Sequence, residues 1–189
     1  KQLYMEGDGM EKTIFDVMQL SKNTEELAAV MVCSRKTQMY GLSLTEEEAK
    51  ELIVSRNDTL KKFKRVELGR GMLDKLIYMF CDSEYINSDN YPETLERLME
   101  LFYEFRNETD DRLTDDELLA FMKEQFEGVC FGDLEYLGGT CLERFAASVR
   151  SGYDGFRKTQ GLGEYEALSG EKRWDSEVYR QVLREQFWE

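Results

Sequence analysis

The sequence predicts an all-α fold, a compact bundle of helices joined by short loops, and three observations carry that reading. Capping boxes recur at Thr45-Glu46-Glu47-Glu48, Thr114-Asp115-Asp116-Glu117 and Thr140-Cys141-Leu142-Glu143, each pairing a side-chain acceptor with a carboxylate three residues on. Each box leads into apolar residues three or four apart, the period of a helix that buries one face. The chain is also long enough, at 189 residues with 41% hydrophobic content and one proline, to close a core without metals or disulfides.

The elements follow in order. Residues 1–22 are ambiguous, because Ile14-Phe15-Asp16-Val17-Met18 suits a short strand near 13–18 as well as one apolar turn of helix. Asn23 or Thr24 then opens a helix with Leu27, Val30 and Met31 on its inner face, stopped at Gly41 with Leu42 as the apolar contact. The helix from Thr45 buries Ala49, Leu52, Ile53 and Leu60. A connector or short strand over 65–68 precedes a helix with Leu73, Leu76, Ile77 and Phe80 inward. Pro92, where a missing amide costs nothing, starts a helix carrying Leu95, Leu98, Met99 and Phe102. The second box opens a helix with Leu118, Met122 and Phe126 that closes at Gly128, and the third opens one with Phe145 and Val149. From Gly138 to Gly170 the chain holds seven of its fourteen glycines and is expected to loosen. The expected organisation is a helical domain over 1–150 whose first ten residues are mobile, a glycine-rich linker over 151–173, and an amphipathic tail helix over 174–189. Tyr179, Val182, Leu183 and Phe187 give that tail an apolar stripe to pack on its own domain or on a second copy.

Composition excludes several function classes. Histidine is absent, which removes Ser-His-Asp and Cys-His catalysis and imidazole ligation of metals. A formal charge of −14 opposes nucleic acid and anionic membrane surfaces alike, and no apolar stretch approaches the ~18 residues that span a bilayer. The opening residues, Lys1 to Gly7, lack the pattern of a secretion signal. Cys33, Cys81, Cys130 and Cys141 have no C-x-x-C spacing and read as reduced thiols, so the expected location is the cytoplasm. A zinc site would need all four thiolates from separate segments.

The chemistry-bearing motifs concentrate between Arg106 and Leu118. Glu108, Asp110 and Glu117 fall at the third, fifth and twelfth positions of an EF-hand loop and Leu113 at its eighth, but Arg106 stands at the first and Asp111 where glycine makes the turn. The plainer reading is an interhelical turn whose acids cap and complement the helix dipole. Asp110, Asp111, Asp115 and Asp116 are also the weak candidates for Mg²⁺ ligands, spaced like the paired carboxylates that hold magnesium against a pyrophosphate in helical isoprenyl synthases. Glu93-x-x-Glu96, with Glu46 to Glu48 and Glu51 on another helix, could imitate the Glu-x-x-Glu pattern of helical nucleotide pyrophosphatases. Gly69-Arg70-Gly71 could present amides to an anion, Ser169-Gly170-Glu171-Lys172 has serine–lysine dyad spacing, and Tyr85, Tyr91, Tyr103 and Tyr136 read as core-edge or surface aromatics. Residues 91–135 carry fourteen acids against four bases, either a solvated face or a docking surface for a basic partner.

Tyr40-Gly41-Leu42-Ser43-Leu44-Thr45, Arg65-Val66-Glu67-Leu68-Gly69-Arg70-Gly71, Phe80-Cys81-Asp82-Ser83 and Phe105-Arg106-Asn107-Glu108-Thr109 together resemble an uncharacterised bacterial protein family of the Firmicutes type, over about residues 25–150. The resemblance implies a bacterial cytoplasmic origin and carries no activity, cofactor or site residue. The leading expectation is a non-enzymatic adaptor or regulatory partner that binds another protein, or itself, through the acidic hairpin or the tail helix, with no cofactor. The alternative is a Mg²⁺-dependent enzyme on a phosphorylated small molecule.

Overall fold

The computed structural model describes residues 24–67 and 71–153. The expected strand near 13–18, the tail helix, and the serine–lysine spacing at 169–172 lie outside the described residues. Within them the fold is all-α, six packed helices with no strand. Helix α1 covers 24–37 and runs into a 3₁₀ turn, Gln38–Tyr40, that ends where Gly41 takes a left-handed φ of 77° and donates its N–H to the Gln38 carbonyl. The next segment is tied back to α1 by polar contacts in the interior: the Leu44 N–H donates to Ser34 Oγ at 2.7 Å, and the Thr37 hydroxyl donates to the Leu42 carbonyl at 3.3 Å.

Helix α2, Glu46–Phe63, begins with the expected capping box: Thr45 accepts from the Glu48 N–H and Glu48 accepts from the Thr45 N–H. After an irregular connector at 65–67, where a strand was one expectation, α3 spans Met72–Phe80. Helix α4, Tyr91–Glu108, carries Pro92 in its first turn. Helix α5, Asp115–Glu127, repeats the capping box with Thr114 and Glu117. The broadest interface joins α2 to α4, each eighteen residues long and so about 27 Å in length. Helix α4 also touches α3, α5 and α6, which makes it the centre of the bundle. Its Leu95, Leu98 and Met99 are fully buried.

Helix α6 departs from expectation. It starts at Leu134–Tyr136, widens into a π-helical stretch at Leu137–Leu142, and continues as Glu143–Arg150. The box at Thr140-Cys141-Leu142-Glu143 therefore lies inside the helix. The true N-cap is Asp133, which accepts from the Glu135 and Tyr136 N–H groups. Gly138 and Gly139 do not loosen the chain either. A Cβ on Gly138 would sit 2.7 Å from Leu101 Cδ2, so that glycine is a close-approach point between α6 and α4 rather than a break. Tyr91 is likewise no edge residue, being 0% exposed in the core.

Candidate functional site

The turn between α4 and α5 carries the four candidate aspartates and commits three of them to cations that they share, Arg106 between Asp111 and Asp115 and Lys75 between Asp115 and Asp116. Arg65 Nη1 meets Asp111 at 2.6 Å, Arg106 Nε reaches Asp115 at 3.2 Å and Asp111 at 3.4 Å, and Lys75 Nζ meets Asp116 at 2.9 Å. Hydrogen bonding from Arg65 holds the Asp111 carboxyl below its ordinary range, against a smaller opposing effect of desolvation. Asp110 is exposed, and both it and Asp111 sit at left-handed φ values of 51° and 55°. The remaining acids of the EF-hand spacing are engaged as well. Glu108 pairs with Arg150 at 2.5 Å, and Glu117 closes its capping box. Among the described residues no group of three or more potential metal-ligating side chains is assembled.

Of the Glu-x-x-Glu candidates, Glu51 faces Glu93 and Glu96 across a groove, whereas Glu46 pairs with Lys50 and Glu48 closes its capping box. Glu51, Glu93, Glu96 and Glu100 line a groove of about 870 Å³ between α2 and α4, interleaved with Lys62 and Arg97. Two of these carboxylates are held by neighbours: Ser55 donates to Glu96 at 2.6 Å, while Lys62 and Arg97 hold Glu100 at 2.5 and 2.7 Å. The Glu100 carboxyl lies below its usual range, chiefly through the Lys62 hydrogen bond. The hairpin's acidity is thus partly answered by bases from outside it, with Lys62 from α2, Arg65 beyond its end, Lys75 from α3 and Arg150 from α6.

Of the Gly69-Arg70-Gly71 candidate, Gly69 and Arg70 lie outside the described residues, and the helix terminus that follows Gly71 is occupied by protein. The Met72 N–H at the start of α3 donates to Glu67 Oε1 at 2.6 Å, so Glu67 supplies the anion that such an amide attracts. Tyr103 donates to the same oxygen, and Arg56 lies 3.3 Å from Glu67 and 2.5 Å from Glu26. Burial, reinforced by Glu67, keeps the Tyr103 phenol protonated well above its ordinary range. Residue spacing holds no hint of this network, because its members come from α1, α2, the 65–67 connector, α3 and α4.

The third region, the α5–α6 turn, is where apolar surface meets water. Val129, Phe131 and Tyr136 are exposed there, Phe131 at 72%. The turn itself is tightly bonded. Cys130 N–H donates to the Gln125 carbonyl, Gly132 N–H to the Phe126 carbonyl, and Asp133 N–H to the Cys130 carbonyl, each at 2.9 Å. Gly132, at φ 82°, rests on the Tyr85 side chain, where a Cβ would come 2.5 Å from the Tyr85 Cβ. Phe131 is held in the left-handed region at φ 49°, a conformation costly for a side chain with a Cβ. Partial desolvation and the Glu84 and Glu127 carboxylates raise the Tyr85 phenol above its ordinary value, so this apolar turn has an acidic border. Cys130 is buried beneath it with its Sγ 3.5 Å from that of Cys141.

The described residues define an all-α bundle with an acidic hairpin and no assembled metal centre. A family model described as a family of unknown function (DUF6323) matches residues 29–155, and the chain belongs to that family. No curated protein and no solved structure matches the chain. No helix among the described residues is long and apolar enough to cross a membrane.

Proposed function

We propose that this protein is a non-enzymatic adaptor or regulatory partner in the cytoplasm of a bacterial cell, and that it binds another protein through the end of its acidic hairpin, the α5–α6 turn around Phe131. One observation carries the reading: a turn held by the backbone hydrogen bonds of Cys130, Gly132 and Asp133 keeps an aromatic side chain 72% exposed in a strained backbone conformation. Strain of this kind persists only where the surroundings impose it, and it gathers at functional positions. Aromatic anchors in such settings supply much of the energy of protein recognition. Of the acids at this end of the hairpin, Glu127 and Glu135 pair with Lys123 and Arg97 and Asp133 caps α6, while Glu84 lies beside Tyr85 and favours a partner whose apolar pocket carries a lysine or arginine at its edge. The exposed Val129, Phe131 and Tyr136 favour this turn over the α4–α5 turn, whose Asp111, Asp115 and Asp116 are held in ion pairs.

The test is comparative capture from extracts of the source cells with the intact protein, Phe131→Ser, and Met39→Ser as a control at another exposed apolar residue. Binding through the turn requires a partner retained by the intact protein and by Met39→Ser and lost from Phe131→Ser. An unchanged set of captured proteins with Phe131→Ser overturns the proposal.

A further inference from the structure

We propose that Cys130 and Cys141 form a reversible redox pair, joined by peroxide into an intramolecular disulfide that clips the α5–α6 turn to the π-helical stretch of α6. Eleven positions separate them in sequence, yet their Sγ atoms lie 3.5 Å apart. A disulfide needs about 2.05 Å, so the sulfurs must approach by roughly 1.5 Å.

Neither cysteine sits in a regular α-helix. Cys130 belongs to an irregular turn, immediately before left-handed Phe131 and Gly132. Cys141 lies in the π stretch, where the extra residue per turn already departs from ordinary helix packing and often marks a functional position. Cys33 and Cys81 offer a contrast. Cys33 is buried within α1, and Cys81 follows the end of α3 and donates its thiol to the Tyr78 carbonyl.

Exposure sets the order of events. Cys141 is half-buried and meets solvent, whereas Cys130 is 4% exposed and its thiol is pushed up to about 12 by burial and by Cys141. The Cys141 thiolate attacks one peroxide oxygen. An S–O bond forms, the O–O bond breaks, and the departing hydroxide is protonated to water, leaving a sulfenic acid. The Cys130 sulfur then attacks the Cys141 sulfur, the S–S bond forms, and the hydroxyl leaves as water with the Cys130 proton. Two thiols lose two electrons in all, and one hydrogen peroxide becomes two waters.

The experiment treats the reduced full chain with equimolar hydrogen peroxide at neutral pH, alkylates the remaining thiols, and maps disulfide-linked peptides. The expected result is one intramolecular link, Cys130 to Cys141, with titratable thiols falling from four to two and returning to four with dithiothreitol. Cys33→Ser with Cys81→Ser should keep the link. Cys130→Ser should leave a sulfenic acid on Cys141 that dimedone traps. Links through Cys33 or Cys81, links only between molecules, or oxidation of Cys141 to sulfinic acid without a link in the wild-type chain would each overturn the proposal. The wild-type map decides the matter even if a variant fails to fold.

Discussion

If Phe131 is held in strain for recognition rather than for folding, replacing it should make the protein more stable. Phe131→Asn places at φ 49° a residue whose short polar side chain tolerates the left-handed region, relieving roughly 1–2 kcal/mol. The loss on the other side is small. With 72% of the residue in water, little more than a quarter of a full burial of about 1.5–3 kcal/mol is given up, or about 0.4–0.8 kcal/mol. The net is a stabilisation of about 0.5–1 kcal/mol. In urea unfolding, with a slope of about 2 kcal/mol/M, the midpoint should rise by about 0.3–0.5 M at unchanged slope. The neighbouring Phe126 provides the internal reference. It is buried against Phe80 and Tyr85, with ring centroids 5.6 and 6.1 Å away, and Phe126→Ala should cost about 3–5 kcal/mol. A lowered midpoint for Phe131→Asn would refute the reasoning, since Phe131 would then be supporting the fold.

Other consequences are open to measurement. Gly138→Ala drives a methyl to 2.7 Å from Leu101 Cδ2 and should destabilise by about 1–3 kcal/mol, read from the same urea curves; a neutral effect would mean that α6 does not press on α4 as described. The Asp111 and Glu100 carboxyls are depressed by Arg65 and Lys62, so their stabilisation is complete above the ordinary carboxylate range and lost as pH falls through their folded values. Melting temperature should therefore hold down to about pH 4.5 and decline below it, less steeply in Lys62→Met, whereas a rise below pH 4 would contradict the pairing. Millimolar Mg²⁺ should leave the melting temperature unchanged. An increase of about 5 °C, the size expected from ~2 kcal/mol of site binding, would favour a carboxylate metal centre instead.

The legible parts of this fold were those written in local interactions. Thr45 with Glu48 and Thr114 with Glu117 mark helix starts because capping needs only neighbours three residues apart. Leu73, Leu76, Ile77 and Phe80 announce a buried face by spacing alone. Reading failed where a tertiary contact decides. Gly138 looks like a breaker until Leu101 is placed against it, and the box at Thr140 is overridden by Asp133 seven residues upstream. The acidity of residues 91–135 was visible, but the cations that answer it come from α2, α3 and α6. Phe131 and the Cys130–Cys141 pair left no trace in spacing, because a left-handed φ and an Sγ separation are properties of the folded turn.

Photo-cross-linking from position 131 tests most directly whether this turn is a recognition surface. A photoreactive phenylalanine analogue would be placed at 131 and, separately, at 39, where Met39 is comparably exposed within the 3₁₀ turn that ends α1. The full chain would then be irradiated in the source cells. Recognition through the α5–α6 turn predicts a discrete adduct with one other protein from position 131 and none from position 39. No adduct from 131, or the same adducts from both positions, would contradict it.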